Sequence, residues 1–228
     1  MRLLCISTNS ENCYAVEHDG KLILLDAGCS PKKTIASIRS KLGVKDVVSN
    51  IAGALVTHKH GDHAQSVKYL VDRGVEVFGP ADVDDTIIVK DGNTYAGNGF
   101  TFRPIEVPHD MGLHCFAYVV KIGEKHILYA TDLSYFPPVT NLPTFDIVLF
   151  ENNWNAKGLI ESKLHYSVKK RIKLTHMKDT MAHRILVEDK RMDFKRCLFV
   201  HRSGNTWRDA FVWGEKFEFI KKDTVYNF

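Results

Sequence analysis

The sequence predicts an α/β protein made of two sheets packed face to face, with helices on the outside. Three observations carry this. Short apolar runs of strand type dominate each half of the chain. Segments with helical spacing follow those runs in both halves. No linker rich in Pro, Gly or Ser divides the 228 residues, so 1–228 reads as one domain.

Composition narrows the class further. Hydrophobic residues make up 44% and charged residues 25%, an ordinary balance for a soluble globular protein. The formal charge of +4 permits a phosphate-bearing substrate without demanding one. Cys5, Cys13, Cys29, Cys115 and Cys197 form an odd, dispersed set with no paired spacing, which points to reduced thiols in a cytoplasmic protein. The start, Met1 to Ile6, lacks the apolar core and cleavage site of a signal peptide. No apolar run reaches the length of a membrane span, so no membrane partner is expected.

The elements follow in order. Leu3 to Ser7 and Cys13 to Val16 read as strands around the polar loop "STNSEN". Lys21 to Leu25 is a third strand, closed by "DAGCS", where Asp26 and Gly28 mark a turn. Pro31 suits a first helical position, and Ile35, Ile38 and Leu42 give 32–42 a helical face. Ile51 to Thr57 reads as a buried strand and 62–73 as a helix with Val67, Leu70 and Val71 on one side. "VEVFGP" is a strand ended by Gly79-Pro80, and 82–88 reads as a short helix. The middle is richer in strands, with a hairpin around Gly123-Glu124. "FDIVLFENN" is another apolar strand; helices are predicted near 157–173 and 178–188. The chain closes with the strand "RCLFVH" and a hairpin-like "KFEFIKKDTVYNF".

One stretch carries most of the chemistry. "ALVTHKHGDHAQSV" places His58, His60, Asp62 and His63 within six positions, where strand gives way to helix. On an extended backbone His58 and His60 point the same way. Gly61 lets the chain turn, and Asp62 then falls at a helix start. Two ligands can reach one ion from the strand end, and two can reach a second ion from the helix. Imidazole and carboxylate suit zinc, manganese or iron(II). An N-cap role would explain Asp62 alone of the four. Four ligands in one segment cannot complete a dinuclear site, so the others must come from other strand ends. His109 after "IEVP", Asp132 after "HILYAT" and His201 after "CLFV" share that placement.

These motifs together resemble a known family. "THKHGDH" fits the His-x-His-x-Asp-His signature of the metallo-β-lactamase fold, and "LLDAG", "VPHD", "YATDLS" and "FVHRS" fall in that family's order. Within it the chain is similar to the WalJ/YycJ-like subgroup, and next to the tRNase Z branch, through "STNSENCYAV", "LFENNW" and "THMKDTMAHRIL". The resemblance implies a four-layer αβ/βα sandwich with metals in a cleft at one edge between the sheets. It implies that His58, His60 and His109 bind one metal, that Asp62, His63 and His201 bind a second, and that Asp132 bridges them. The cofactors implied are two divalent ions, zinc or manganese, with iron a third option. Ser10, Asn12 and Ser203 fall on the expected substrate side, as does His114 by its closeness to His109. Departures from the pattern, such as Glu11 in the first loop and Thr175, Met177 and Lys178 around His176, also lie there.

Two metals imply a mechanism. A water between them loses its proton near neutral pH, because their charge lowers its pKa from about 15.7 to about 7 in favourable sites. The resulting hydroxide attacks phosphorus or a carbonyl carbon. Asp62 is the candidate to orient it or receive its proton. His176 resembles the tRNase Z branch's proton donor to the leaving oxygen, and Glu151 its acidic partner. The expected function is phosphodiester hydrolysis, by a nuclease on DNA or RNA or by a cyclic-nucleotide phosphodiesterase. The alternative is a carboxyl-type hydrolase, lactonase or glyoxalase-like. A homodimer with a shared cleft suits the subgroup. The run "KKRIKLTHMK" is either a solvated helix face or a track beside a nucleic-acid backbone. Trp154, Tyr135 and Phe136 read as base-stacking or core aromatics.

Overall fold

The computed structural model describes residues 1–207 and 213–228. The first half opens with strands β1 (Arg2–Ser7), β2 (Cys13–His18) and β3 (Lys21–Leu25), then helix α1 (Pro31–Leu42). Strand β4 (Ile51–Leu55), the short helices α2 (Gly61–Ala64) and α3 (Val67–Val71), and strands β5 (Val77–Gly79) and β6 (Ile87–Ile88) follow. The second half holds β7 (Tyr95–Gly97), β8 (Phe100–Glu106), β9 (Phe116–Ile122), β10 (Lys125–Ala130) and β11 (Phe145–Glu151). After these come α4 (Ala156–Glu161), α5 (Tyr166–Thr175), α6 (Asp179–His183), β12 (Phe194–Val200), β13 (Phe217–Phe219) and β14 (Thr224–Asn227).

The strands form two seven-stranded sheets, ordered β14-β1-β2-β3-β4-β5-β6 and β13-β12-β11-β10-β9-β8-β7. Each sheet has the same plan. An antiparallel part (β1–β2–β3; β8–β9–β10) hands over to a parallel part (β3–β4–β5; β10–β11–β12). Parallel strands align their carboxyl ends, and ligands of such sheets bind beyond those ends.

Alternation along the strands builds the layers. On β3, Ile23 and Leu25 enter the core between the sheets, while Leu22 and Leu24 meet Ile38, Leu42, Val67 and Leu70 of the helices. On β12, Leu198 and Val200 face inward, while Cys197 and Phe199 pack outward with Ile185 and Leu186. The result is the four-layer αβ/βα sandwich of the metallo-β-lactamase fold. Each of these buried aliphatic or aromatic side chains contributes about 1.5–3 kcal/mol relative to exposure. Helix α1 starts as the sequence indicates: the Ser30 side chain accepts from the Lys33 amide, Pro31 opens the first turn, and Gly43 ends it at φ 75°.

Several sequence expectations are corrected. Residues 82–88 form turns and strand β6 rather than a helix. The 62–73 helix breaks at Ser66, whose hydroxyl turns to the Cys29 carbonyl at 2.6 Å. The 157–173 helix is two, α4 and α5, separated by an extended stretch at 162–165. The 178–188 helix widens into a π-type turn over Arg184–Glu188. The closing "hairpin" is not one. β13 pairs with β12 in the second sheet, and β14 pairs with β1 in the first. No helix among the described residues is long and apolar enough to cross a membrane.

Candidate metal centre

The two sheets meet at the carboxyl ends of their parallel strands. There the Tyr118 hydroxyl donates to the Val56 carbonyl at 2.7 Å, and the Phe116 amide to the Thr57 carbonyl at 3.0 Å. Every candidate ligand follows the carboxyl end of a strand that points to this edge, the parallel strands and also β8, which runs in the same direction as β10. His58, His60 and the Asp62-His63 turn follow β4, His109 follows β8, Asp132 follows β10 and His201 follows β12. Asp26 and His201, directly after β3 and β12, and Asp132, two residues after β10, have φ of 57°, 52° and 50°. Such left-handed backbone costs a side-chain-bearing residue stability, and it gathers where a site fixes its groups.

Asp132 is the hub. Its Oδ2 lies 2.9 Å from His63 Nε2, 3.5 Å from His58 Nε2 and 3.8 Å from His109 Nε2. Its Oδ1 lies 2.9 Å from His201 Nδ1 and 3.8 Å from His176 Nδ1. Three sets of side chains converge closely enough to hold a cation: His58, His60, His109 and Asp132; Asp62, His63 and Asp132; and Asp132, Glu151, His176 and His201. The first is the trio inferred for one metal, with Asp132 shared. His201 groups with His176 and Glu151 rather than with Asp62 and His63, although its ring stacks on that of His63 with centroids 5.9 Å apart.

The outward nitrogens of the imidazoles are held by the chain. Thr57 Oγ1 sits 3.0 Å from both Asp26 Oδ1 and His58 Nδ1. The hydroxyl donates to the carboxylate and accepts from His58 Nδ1–H, so His58 Nε2 turns a lone pair to the cluster. His63 Nδ1–H donates to Asp26 Oδ2 at 2.6 Å, and the Tyr129 hydroxyl donates to the same oxygen at 2.5 Å. His109 Nδ1–H donates to the Thr175 carbonyl at 2.9 Å. Partners of this kind set the tautomer and orientation of metal-binding histidines. Asp26, which in the sequence marks only a turn, is fully buried and holds His63. Its signal was the one used for the others: it follows the apolar strand "KLILL".

The inward atoms fit divalent cations. His109 Nε2, Asp132 Oδ1 and His201 Nδ1 are buried without a hydrogen bond, although the last two are only 2.9 Å apart. They converge on a common point rather than on each other. An imidazole lone pair and a carboxylate oxygen 2.9 Å apart, as at His63 and Asp132, need a proton or a cation between them. Burial lowers the pKa of His63, but the Asp132 and Asp26 carboxylates outweigh it and raise it well above the ordinary value. Burial holds the Asp132 carboxyl up, yet His201 and His63 bring it well below the usual range. His58 is pushed well down by burial, with the neighbouring His63 charge adding to it.

Beside the cluster stands a second device. Glu151 is fully buried and accepts from His176 Nδ1–H at 2.7 Å and from the amides of Leu133 at 2.7 Å and Met177 at 3.3 Å. Burial pulls the His176 pKa down, but the Glu151 carboxylate more than offsets it and raises it to about 9. The His176 ring stacks on His201, centroids 5.1 Å apart, and its carbonyl accepts from Trp154 Nε1 at 3.0 Å.

The expected substrate residues separate. Asn12 is fully buried; its carboxamide donates to Asp62 Oδ2 at 3.4 Å and lies 2.9 Å from His63 Nε2. Its burial and these contacts place it against Asp62 and His63. His114 is exposed and pairs with Glu106 at 3.0 Å rather than with the cluster. Ser10 is exposed on the first loop, and Ser203 is half-buried, its amide donating to the Asn153 carbonyl. Phe136 and Trp154 are buried, which leaves them no face for a base. Asp62 is about one-third exposed beside His63. A cleft of about 810 Å³ reaches the cluster at His109, lined by Arg103, Glu106, Pro108 and Met111 among others.

Fold and site define the class: the chain has the metallo-β-lactamase fold, with a His/Asp cluster suited to divalent metal at one edge between the sheets. Residues 7–88 match the model of the metallo-beta-lactamase superfamily. Among individual proteins, the chain is 25% identical over 183 residues to an exodeoxyribonuclease YycJ of Bacillus anthracis, covering 73% of this chain and 67% of that one. It is 29% identical over 124 residues to a hydroxyacylglutathione hydrolase of Klebsiella pneumoniae subsp. pneumoniae, covering 51% of this chain and 47%, about half, of the relative's length. A solved diphosphatase from the PhnP family has the same fold, with a TM-score of 0.71 at 16% identity over 99% of this chain and 97% of that one.

Proposed function

We propose that the chain is a phosphodiester hydrolase that works with two divalent cations, zinc or manganese, on a nucleic-acid strand or a cyclic nucleotide. The observation that carries this is the His176–Glu151 pair, at 2.7 Å, set 3.8 Å from Asp132. His58, His60, His109 and Asp132 would hold one ion, and Asp62, His63, His201 and Asp132 the other. When bound, such ions supply Lewis-acid charge and a nucleophile at neutral pH. The chain's own groups do the rest. Asp62 orients the nucleophile and takes its proton. Glu151 keeps His176 protonated at neutral pH, and with Nδ1 engaged, Nε2–H is left to donate to the departing oxygen. Stacking on His201 fixes the plane of that ring.

The exodeoxyribonuclease and diphosphatase relatives favour phosphorus over carbon as the centre attacked. The hydroxyacylglutathione hydrolase relative favours the second reading, a carboxyl-type hydrolase on the same ligands. The reading includes a cytoplasmic, reducing setting, supported by five buried free cysteines. Purified protein with Mn²⁺ or Zn²⁺ is offered bis-p-nitrophenyl phosphate, a lactone, a glutathione thioester and a chromogenic β-lactam. Turnover of the diester alone is the expected outcome. Turnover of the lactone or thioester alone selects the second reading.

A further inference from the structure

We propose that α5, with the segment leading into it, is a binding track that guides a single-stranded nucleic acid into the metal centre. The proposal rests on the phosphodiester reading and selects, within it, a strand over a cyclic mononucleotide.

The chain's positive charge is concentrated here. Residues 157–178 hold seven Lys or Arg and one Glu, while the other 206 residues carry 24 basic and 26 acidic side chains. The +4 is therefore the excess of one segment over a slightly acidic remainder. Helix α5, "YSVKKRIKLT", has no acidic residue, and Thr175 is its one buried side chain. A helix gains most of its stability in a protein by burying an apolar face, and this one buries almost none. Tyr166, Lys170 and Lys173 stand at i, i+4 and i+7, with Leu174 beside them, so they share one outward face. Tyr166 is 76% exposed and Leu174 63%. Among the described residues, the ion pair recorded for α5 is Arg171 with Asp110, at 3.0 Å.

The track ends at the reacting groups. Asp110 neighbours His109, so the Arg171 pair ties the helix to that ligand's loop. The Thr175 carbonyl accepts from His109 Nδ1, and His176 caps the helix while bonded to Glu151. At 1.5 Å per residue, Tyr166 to His176 spans about 15 Å, room for several phosphates. A positive groove that follows the backbone, with an aromatic ring on which a base stacks, is how single strands are held without sequence preference.

A second copy of the chain is the rival occupant, since exposed Ile160, Tyr166 and Leu174 offer apolar area. In a two-fold contact, however, this face would meet itself, setting Lys170 and Lys173 against their own copies. With no carboxylate on α5 to answer them, charge complementarity favours a polyanion.

The test is fluorescence anisotropy of a labelled short oligothymidylate in EDTA, over a series of salt concentrations, with full-length wild type and Lys170→Glu/Lys173→Glu. The expected result is wild-type binding that weakens with salt, and a variant about tenfold weaker or more at low salt. The neutral variant Lys170→Ala/Lys173→Ala should flatten the log–log salt slope by about 1.4, since each phosphate contact on a single strand adds about 0.7; it also serves if charge reversal impairs folding. Absent wild-type binding, or equal affinity and slope in the variants, overturns the track. So does sedimentation showing a wild-type dimer that these changes dissociate while oligonucleotide affinity holds. The phosphodiester reading is judged separately, by wild-type turnover of the small diester, so the two can fail independently.

Discussion

The two sides of the metal centre are built differently. On the first-sheet side, His58 and His63 are fully buried, and each has its outward nitrogen engaged, by Thr57 and Asp26. Backbone hydrogen bonds knit the loops beneath them: Asn12 to Asp62 at 2.7 Å, Ala27 to His63 at 2.8 Å and Gly28 to Asn12 at 3.0 Å. On the second-sheet side, His109 Nε2, Asp132 Oδ1 and His201 Nδ1 lack hydrogen bonds altogether. On the first side the chain supplies these fixing partners; on the second it leaves inward atoms that a bound cation would satisfy. A site arranged this way has rigid walls before metal arrives and is closed by the metal itself.

Changes on the second side should act through metal and chemistry. Asp132→Ala removes the side chain common to all converging sets. Bound divalent metal should fall sharply and diester turnover should drop about 10³-fold or more, by elemental analysis and rate assay. Undiminished turnover would break the comparison at its centre. His176→Ala should slow turnover about 10²–10³-fold while metal content stays at the wild-type level. Loss of metal would instead make His176 a ligand, in line with its grouping with Asp132 and His201.

Changes on the first side should act through orientation and folding. Asp26→Asn leaves the shape but removes the charge that holds His63, and should weaken metal affinity about 10–100-fold in a competition titration with a chelating dye. Gly28→Ala tests the knitted loops. A Cβ there would lie 1.6 Å from the Asp62 carbonyl oxygen, so the turn must shift. A loss of about 3 kcal/mol in denaturant unfolding is expected, with Asp62 displaced as a consequence. A wild-type midpoint would contradict the packing.

A pH experiment on metal-free protein separates the second device. The folded His176 pKa, about 9, lies above its ordinary value, so its stabilising contribution is full below about pH 6.5 and is lost as pH rises towards 9. In Glu151→Gln the His176 component of that loss should vanish, as the difference in unfolding midpoint between wild type and variant across this window. The smallest effect belongs to His114→Ala, whose exposed pair with Glu106 should alter stability by less than about 0.5 kcal/mol.

The site was more legible in the sequence than the fold's details. Metal chemistry demands residue types rare after apolar strands, so His109, Asp132 and His201 could be picked out by placement. Asp26 stood in the same position but without a second ligand nearby, and passed for a turn residue. Asn12 looked like a substrate contact because a polar residue in a loop carries no mark of its burial. Alternating patterns fix which face of a strand is buried, but not which strand it joins; β13 and β14 therefore looked like a hairpin although they close different sheets. At 82–88, "DVDDTII" offered no period long enough to separate helix from strand.

Anomalous diffraction from crystals grown with Mn²⁺ or Zn²⁺ tests the central claim most directly. Two peaks are expected, both against the Asp132 carboxylate, one beside His58, His60 and His109 and the other beside Asp62, His63 and His201. No peak at Asp132, or a single ion bound away from it, would contradict the account.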